Sequence, residues 1–423
     1  MRPKPHRTAV SGLGRRPARL KSLVVVGTAT LGLAGAGLAA AGPALADPAT
    51  TYVVVGSDTI QDVMNGFAAG VSDGIVASYN AVNPVTAATH EIITPAKALA
   101  GGAFSNCSFT RPNGSTEGFN AIDKSVNPAT TLAQLAAPPQ AGCIDISRSS
   151  SAPGINSTGP GSLSTTGNLV YIPFGVDAVT SATGPTTAGQ TTTINTPSGP
   201  QTITVPVTNI TTADMFTLTD LQTLYSSCAN VTEGGVTYNP NTATAGQVQI
   251  NLYAPQPGSG TLKFWASKLN FSATAPPACV HQTIQAGPAA TLPVEEHDGS
   301  AYASDPNGFG PFSIAQFVAQ SNGHDDRRHT ATLHSINAIA PTVNGALNPN
   351  FPILREVYNV VQFDHIDSTS ANFDPVLAGL LTGTSSRLCT STFTIKSFGF
   401  GTLPNPNLPD GCGATTAGLR VQA

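Results

Sequence analysis

Four short stretches combine glycine with small hydroxyl residues at spacings that suit chemistry. They are Gly56-Ser57-Asp58-Thr59, Asn113-Gly114-Ser115-Thr116, Ser147-Arg148-Ser149-Ser150-Ser151 and Pro257-Gly258-Ser259-Gly260-Thr261. The chemistry available to such turns is anion binding. Free amide N–H groups at a helix start, together with the helix dipole, attract negative charge. Gly258 and Gly260 would let backbone approach a ligand closely, and Ser259 and Thr261 would add donors. Arg148 would supply a guanidinium beside the neutral serines. The same residues also suit plain helix capping, and the serine stretch runs into a Gly/Ser/Thr-rich segment at 154–167.

Other polar clusters carry weaker signals. Glu295-Glu296-His297-Asp298 is the densest acid–histidine group. A hydrolase would need a nucleophile near it, yet the glycines around Ser259 do not have the G-x-S-x-G spacing of a nucleophile elbow, and H-E-x-x-H is absent. His324, His329 and His334 are spaced five apart, which shares no face of a helix or a strand. Arg327 and Arg328 among them suggest a solvated surface. Neither an enzyme, a metal site nor a cofactor is expected.

The turns need elements to hold them. Tyr52, Val53, Val54 and Val55 form an apolar strand before the first turn, and Ile60, Val63, Met64 and Phe67 mark a helix face after it. Ser115 opens a second helix, and a strand over 143–146 leads to the serine stretch. Val248, Ile250 and Leu252 alternate with polar residues as one strand. Leu262, Trp265 and Leu269 then recur at helical spacing. A strand covers 169–179, a hairpin occupies 181–211, and a helix over 220–225 follows Thr219 as cap. Residues 312–319 fit strand or helix, and 355–363 read as a strand. Repeated strand–turn–helix units predict an α/β protein with parallel sheets and a ligand at the strands' C-terminal ends.

Composition narrows the class. Residues 1–46 hold seven basic residues, no acid and an apolar run ending in Ala44-Leu45-Ala46, the pattern of a cleaved export signal. The Arg15-Arg16 pair leaves the twin-arginine route open beside general secretion. Past residue 46, 12 Lys and Arg stand against 23 Asp and Glu, a net charge of −11. That charge excludes a nucleic-acid surface. No later run is long enough to span a bilayer, and no cysteine follows the signal to carry a lipid, so a soluble, secreted or periplasmic monomer is expected. The length suits about two domains. Six cysteines in an exported chain should pair. Sequence proximity favours Cys107–Cys143, Cys228–Cys279 and Cys389–Cys412.

In their order the four turns resemble those of the substrate-binding proteins of phosphate ABC transporters, a type II periplasmic-binding-protein fold. The likeness is most specific at GSDT (56–59) and PGSGT (257–261), and looser at NGSTEG (113–118) and DISRSSSAP (145–153). It implies two α/β lobes, residues 47–174 with 356–423 and residues 175–355, joined by crossings near 171–179 and 354–361. Phosphate or a similar oxyanion would lie between them, and an ABC transporter permease would be the partner. Carried over by motif, the ligand residues are Ser57, Asp58, Thr59, Gly114, Ser115, Ser149, Ser150, Ser259, Gly260 and Thr261. Two departures stand out. Ser150 occupies the place of the family's proton-accepting aspartate, and Pro255 that of an arginine. Each lost charge-assisted bond would cost about 1.5–3 kcal/mol, with Arg148 positioned to restore one. The alternative is a cell-surface scaffold of the same fold that has lost phosphate binding.

Overall fold

The computed structural model describes residues 51–83, 89–98, 104–129, 135–196, 199–287 and 290–423. The expected export signal lies outside them. No helix among the described residues is long and apolar enough to cross a membrane.

The elements that position the site are, in chain order, β1 (Tyr52–Gly56), α1 (Gln61–Gly70), β2 (Val76–Ser78), α2 (Ser115–Val126), β3 (Ile146–Ser149), β4 (Leu169–Thr183) and α3 (Leu218–Ser227). They continue with β5 (Asn251–Tyr253), α4 (Gly260–Leu269), β6 (Val280–His281), β7 (Gly308–Ser313), α5 (Ile314–Ser321) and β8 (Leu354–Gln362). The eight strands lie in one sheet in the order β6-β5-β7-β4-β8-β3-β1-β2. β1 runs parallel to β2 and β3, and β5 runs parallel to β6 and β7. β4 and β8 are antiparallel to each other and join the two parallel halves, β8 beside β3 and β4 beside β7.

Each half therefore has the order second–first–third strand, then a strand arriving from the other half. This is the two-lobed α/β arrangement with two crossings that the resemblance implies. β4 can serve both halves because its 15 residues reach roughly 50 Å at about 3.3 Å per residue. Its ladder with β8 shifts register opposite Val357 and Tyr358, where Pro173 has no N–H to donate.

Packing follows from pattern. β1 is buried throughout, and α1 buries Val63, Met64 and Phe67 in the same core. α4 buries Leu262, Trp265 and Leu269, with Trp265 set edge-on to Tyr225 of α3. All three expected disulfides form, Cys107–Cys143, Cys228–Cys279 and Cys389–Cys412.

Several elements differ from the sequence reading. Residues 247–253 form two short strands, because Gln247–Gln249 pairs with Val236–Asn239 in a side sheet before the chain turns into β5. The strand expected at 143–146 begins at Ile146 and carries Arg148 inside it. Helix α3 starts at Leu218, since Thr217 and Asp220 form a reciprocal capping box there. Residues 312–319 divide into the end of β7 and the start of α5 at the Ser313 cap.

Candidate functional site

The four turns meet at the C-terminal ends of β1, β3 and β5. Ser150 is the hub. Its Oγ accepts from Ser57 Oγ at 3.1 Å and lies 3.3 Å from Thr59 Oγ1 and 3.2 Å from Ser115 Oγ. The Ser150 N–H donates to Ser115 Oγ at 3.0 Å. From the second lobe, Ser259 caps α4 by accepting from the N–H groups of Thr261 and Leu262 at 3.1 and 3.2 Å. Thr261 Oγ1 stands 3.4 Å from Thr59 Oγ1, so the two hydroxyl sets touch across the cleft.

Glycine makes that contact possible at two places. A Cβ on Gly260 would lie 2.3 Å from Ser115 Oγ and 2.5 Å from Ser150 Oγ. Gly114 has φ +87°, and a Cβ there would lie 2.9 Å from Gly258 O. Beside it, the Thr116 N–H donates to Gly258 O at 3.2 Å, a direct backbone bond between the lobes.

Against the Thr59, Ser259 and Thr261 side of the hydroxyl ring sits the carboxylate of Glu296, fully buried. It accepts from Thr59 Oγ1, from Thr261 Oγ1 at 2.8 Å and from Ser259 Oγ at 3.1 Å. Its loop is pinned by the Ser313 N–H donating to Glu296 O at 2.8 Å, and by Gln320 Nε2 donating to His297 O at 2.8 Å. Burial, then the charge of Asp58, push the Glu296 carboxyl pKa upward, against opposing pulls from His297, the Thr59 hydroxyl and Arg355.

Arg355 of β8 is the guanidinium that reaches the ring. It donates to Thr261 Oγ1 at 2.8 Å and to Ser150 O at 3.1 Å. It also makes two bonds to Asp177 Oδ2 on β4, at 3.1 and 2.7 Å. The crossing strands thus carry a buried ion pair, and Asp177 already balances the charge of Arg355. Three further acidic side chains, Asp58, Glu295 and Glu296, face the same region with His297. Burial, then Asp58 and Glu296, raise the Glu295 carboxyl well above its ordinary range.

Arg148 and Ser149 lie outside the ring. Arg148 is fully buried beneath the first turn. Its guanidinium donates to Ser57 O at 2.9 Å, Gly56 O at 3.0 Å, Tyr79 O at 2.7 Å and Ser78 Oγ at 2.8 Å. Desolvation lowers its pKa to about 9. Ser149 turns back on its own loop, donating to Ser151 O at 2.9 Å. Asp58 accepts from the Thr59 N–H at 2.9 Å.

Sequence reasoning missed Glu296 and Arg355 as members of the ring. The available signals were a charged residue opening the apolar 355–363 run and an acid pair beside a histidine. The sequence also holds a G-x-S-x-G pattern at Gly70-Val71-Ser72-Asp73-Gly74. It leaves a helix rather than a strand, and Ser72 Oγ donates to Ala68 O at 2.8 Å, so it forms no nucleophile elbow. The histidines at 324, 329 and 334 go to separate neighbours, Phe398, Asp298 and Thr183.

No protein-family model matches the chain, nor does any curated protein. Among solved structures, it is similar to a phosphate ABC transporter substrate-binding protein with bound phosphate from Clostridium perfringens. That match has 12% identity and a TM-score of 0.45, and covers 84% of this chain and 100% of the other. An ABC-type phosphate transport receptor from Vibrio cholerae matches at 12% identity and a TM-score of 0.42, with the same coverage. Both superpositions are loose, and the fold assignment stands on the strand order above.

Proposed function

We propose that this chain is an exported solute-binding protein whose cleft is built for phosphate or a related oxyanion and is closed, in the form described, on its own Glu296. The observation that carries this reading is the hydroxyl ring, contributed by turns of both lobes, three of whose members from both sides, Thr59, Ser259 and Thr261, donate to one carboxylate. Such a ring has the donors an oxyanion needs. Glu296 fills it as a tethered competitor. Tethering gives a group an effective concentration of about millimolar or more, so phosphate at micromolar levels would not displace it. The balanced Arg355–Asp177 pair adds no net positive charge to offset that competition. An ABC transporter permease is the partner of the capture reading, and a lobe boundary near 174 and 355 fits the two crossings.

A second reading, a surface scaffold of the same fold, is favoured by the acid excess around the ring. Calorimetry with phosphate, sulfate and arsenate on wild type and Glu296→Ala separates the two. Saturable binding that tightens at least tenfold in E296A supports the competed cleft. Binding by E296A alone means the ring is intact but latched in the natural chain. Silence from both folded proteins leaves the scaffold.

A further inference from the structure

Behind the hydroxyl ring, one ligand atom each from Asp58, Glu295, Glu296 and His297 lies within 4.8 Å of all the others. Asp58 comes from the turn after β1, and the other three come from the loop before residues 300–304, so the group spans the cleft. Asp58 Oδ2, Glu295 Oε2 and His297 Nδ1 are buried and make no hydrogen bond to protein. Asp58 and His297 are 3% and 6% exposed, so neither has bulk water to turn to. On the two acids the second oxygen is committed elsewhere: Asp58 Oδ1 accepts from the Thr59 N–H, and Glu295 Oε1 accepts from Gln256 Nε2 at 2.7 Å. Three lone-pair-bearing atoms without a hydrogen-bond donor therefore converge on one spot, two of them on acids, with Asp58 Oδ2 and His297 Nδ1 facing each other as an ion-pair contact. Buried polar atoms are nearly always satisfied, and carboxylates placed together need a proton or a cation between them.

We infer that Asp58, Glu295, Glu296 and His297 form a divalent-cation site that clasps the two lobes together. The donor set decides the class of ion. One imidazole with carboxylates suits Mn2+ through Zn2+, whereas Ca2+ takes six to eight oxygens and Mg2+ holds its waters. The 3.6 Å between Asp58 Oδ2 and His297 Nδ1 is close to the roughly 3.4 Å ligand–ligand edge of a four-coordinate site with about 2.1 Å bonds. The Gln256 bond to Glu295 and the Gln320 bond to His297 O serve as the outer contacts that orient such ligands. The site does not depend on the oxyanion reading, because its atoms are those the hydroxyl ring does not use, apart from Glu296.

The experiment is a titration of chelator-stripped protein with Mn2+, followed by electron paramagnetic resonance in buffer free of phosphate and sulfate, with Zn2+ as competitor and Ca2+ as control. The expected result is one Mn2+ per chain, displaced by Zn2+ and not by equimolar Ca2+, with an upward shift in melting temperature. Asp58→Asn and His297→Ala each lower affinity at least tenfold, while Asp326→Asn, at an exposed aspartate paired with Arg328 away from the site, leaves it unchanged. Glu295→Gln tests the same sphere with the smallest structural change if the other two variants fold poorly. Absence of saturable Mn2+ and Zn2+ binding to folded wild type, or full affinity retained in E295Q, overturns the proposal. Absence of anions keeps this outcome separate from any failure of oxyanion binding.

Discussion

Arg148 shows how one side chain can look like a ligand and act as a brace. Its donors go to the carbonyls of Gly56, Ser57 and Tyr79 and to Ser78, so it ties the first turn to the end of β2. Deleting it removes the guanidinium that three buried carbonyls accept from. Arg148→Met is therefore expected to cost about 3–5 kcal/mol of stability, read as a lower urea midpoint at unchanged slope. Loss of oxyanion affinity at unchanged stability would return Arg148 to the ligand set. At this scale the sequence was only partly legible. The hydroxyls of 57, 59, 115, 150, 259 and 261 do converge, since short polar residues at strand ends have few other roles. Glu296 and Arg355 lie far from those turns in sequence, and only the closed fold shows that one fills the ring and the other reaches it. Arg148 misleads because an arginine among serines looks the same whether it faces a ligand or a layer of carbonyls.

Helix α4 and its preceding turn form the element on which closure depends. Ser259 both caps the helix and donates to Glu296, so Ser259→Ala should cost about 1 kcal/mol from the cap alone, with a further loss from the latch. Gly260 makes a sharper test. A methyl there meets Ser115 Oγ and Ser150 Oγ well inside contact distance, and both belong to the opposite lobe. Neither hydroxyl is the far end of a long flexible chain, so the lobes must separate instead. Gly260→Ala is expected to raise the radius of gyration in small-angle scattering while circular dichroism stays unchanged and stability falls by about 1–3 kcal/mol. An unchanged scattering profile would show that the ring can absorb a methyl without opening. Helix starts were legible because Gly-Ser-Gly-Thr leaves little but a capped turn. The break at Ile250 was not, because Val248, Ile250 and Leu252 alternate correctly for a continuous strand, and it is the side sheet around Val236–Asn239 that claims the first half.

For the whole molecule, two parallel half-sheets share crossing strands, and each disulfide closes a loop within the chain. The bridged residues are 36, 51 and 23 apart. Chain-entropy arguments give about 3–4 kcal/mol for each, a total comparable with the whole stability of an ordinary domain, about 5–15 kcal/mol. Reduction should therefore bring the melting transition to near room temperature; a small shift would mean that the two lobes hold without staples. The cross-cleft acids make the pH response of the metal-free protein more informative. Asp214, held low chiefly by its His334 contact, and Asp298, where His329 and Ser300 outweigh burial, have folded pKa values of about 2 against 3.8 ordinarily. Their contribution is present above 3.8 and lost as pH falls toward 2, and it is smaller for Asp214, which is well exposed. Glu295 and Glu296 shift the other way, raised above 4.5 by burial and mutual repulsion with Asp58. Stability from their neutral forms is complete below 4.5 and lost as pH rises through the folded values. Metal-free protein should accordingly melt highest in mildly acidic buffer and lose stability toward neutral pH. Glu295→Gln should flatten that upper limb, because the amide cannot ionise, while leaving the acid limb in place. A melting temperature that climbs steadily to neutral pH, in chelator and with E295Q matching wild type, would mean that the cluster is not jointly strained by charge in the folded protein.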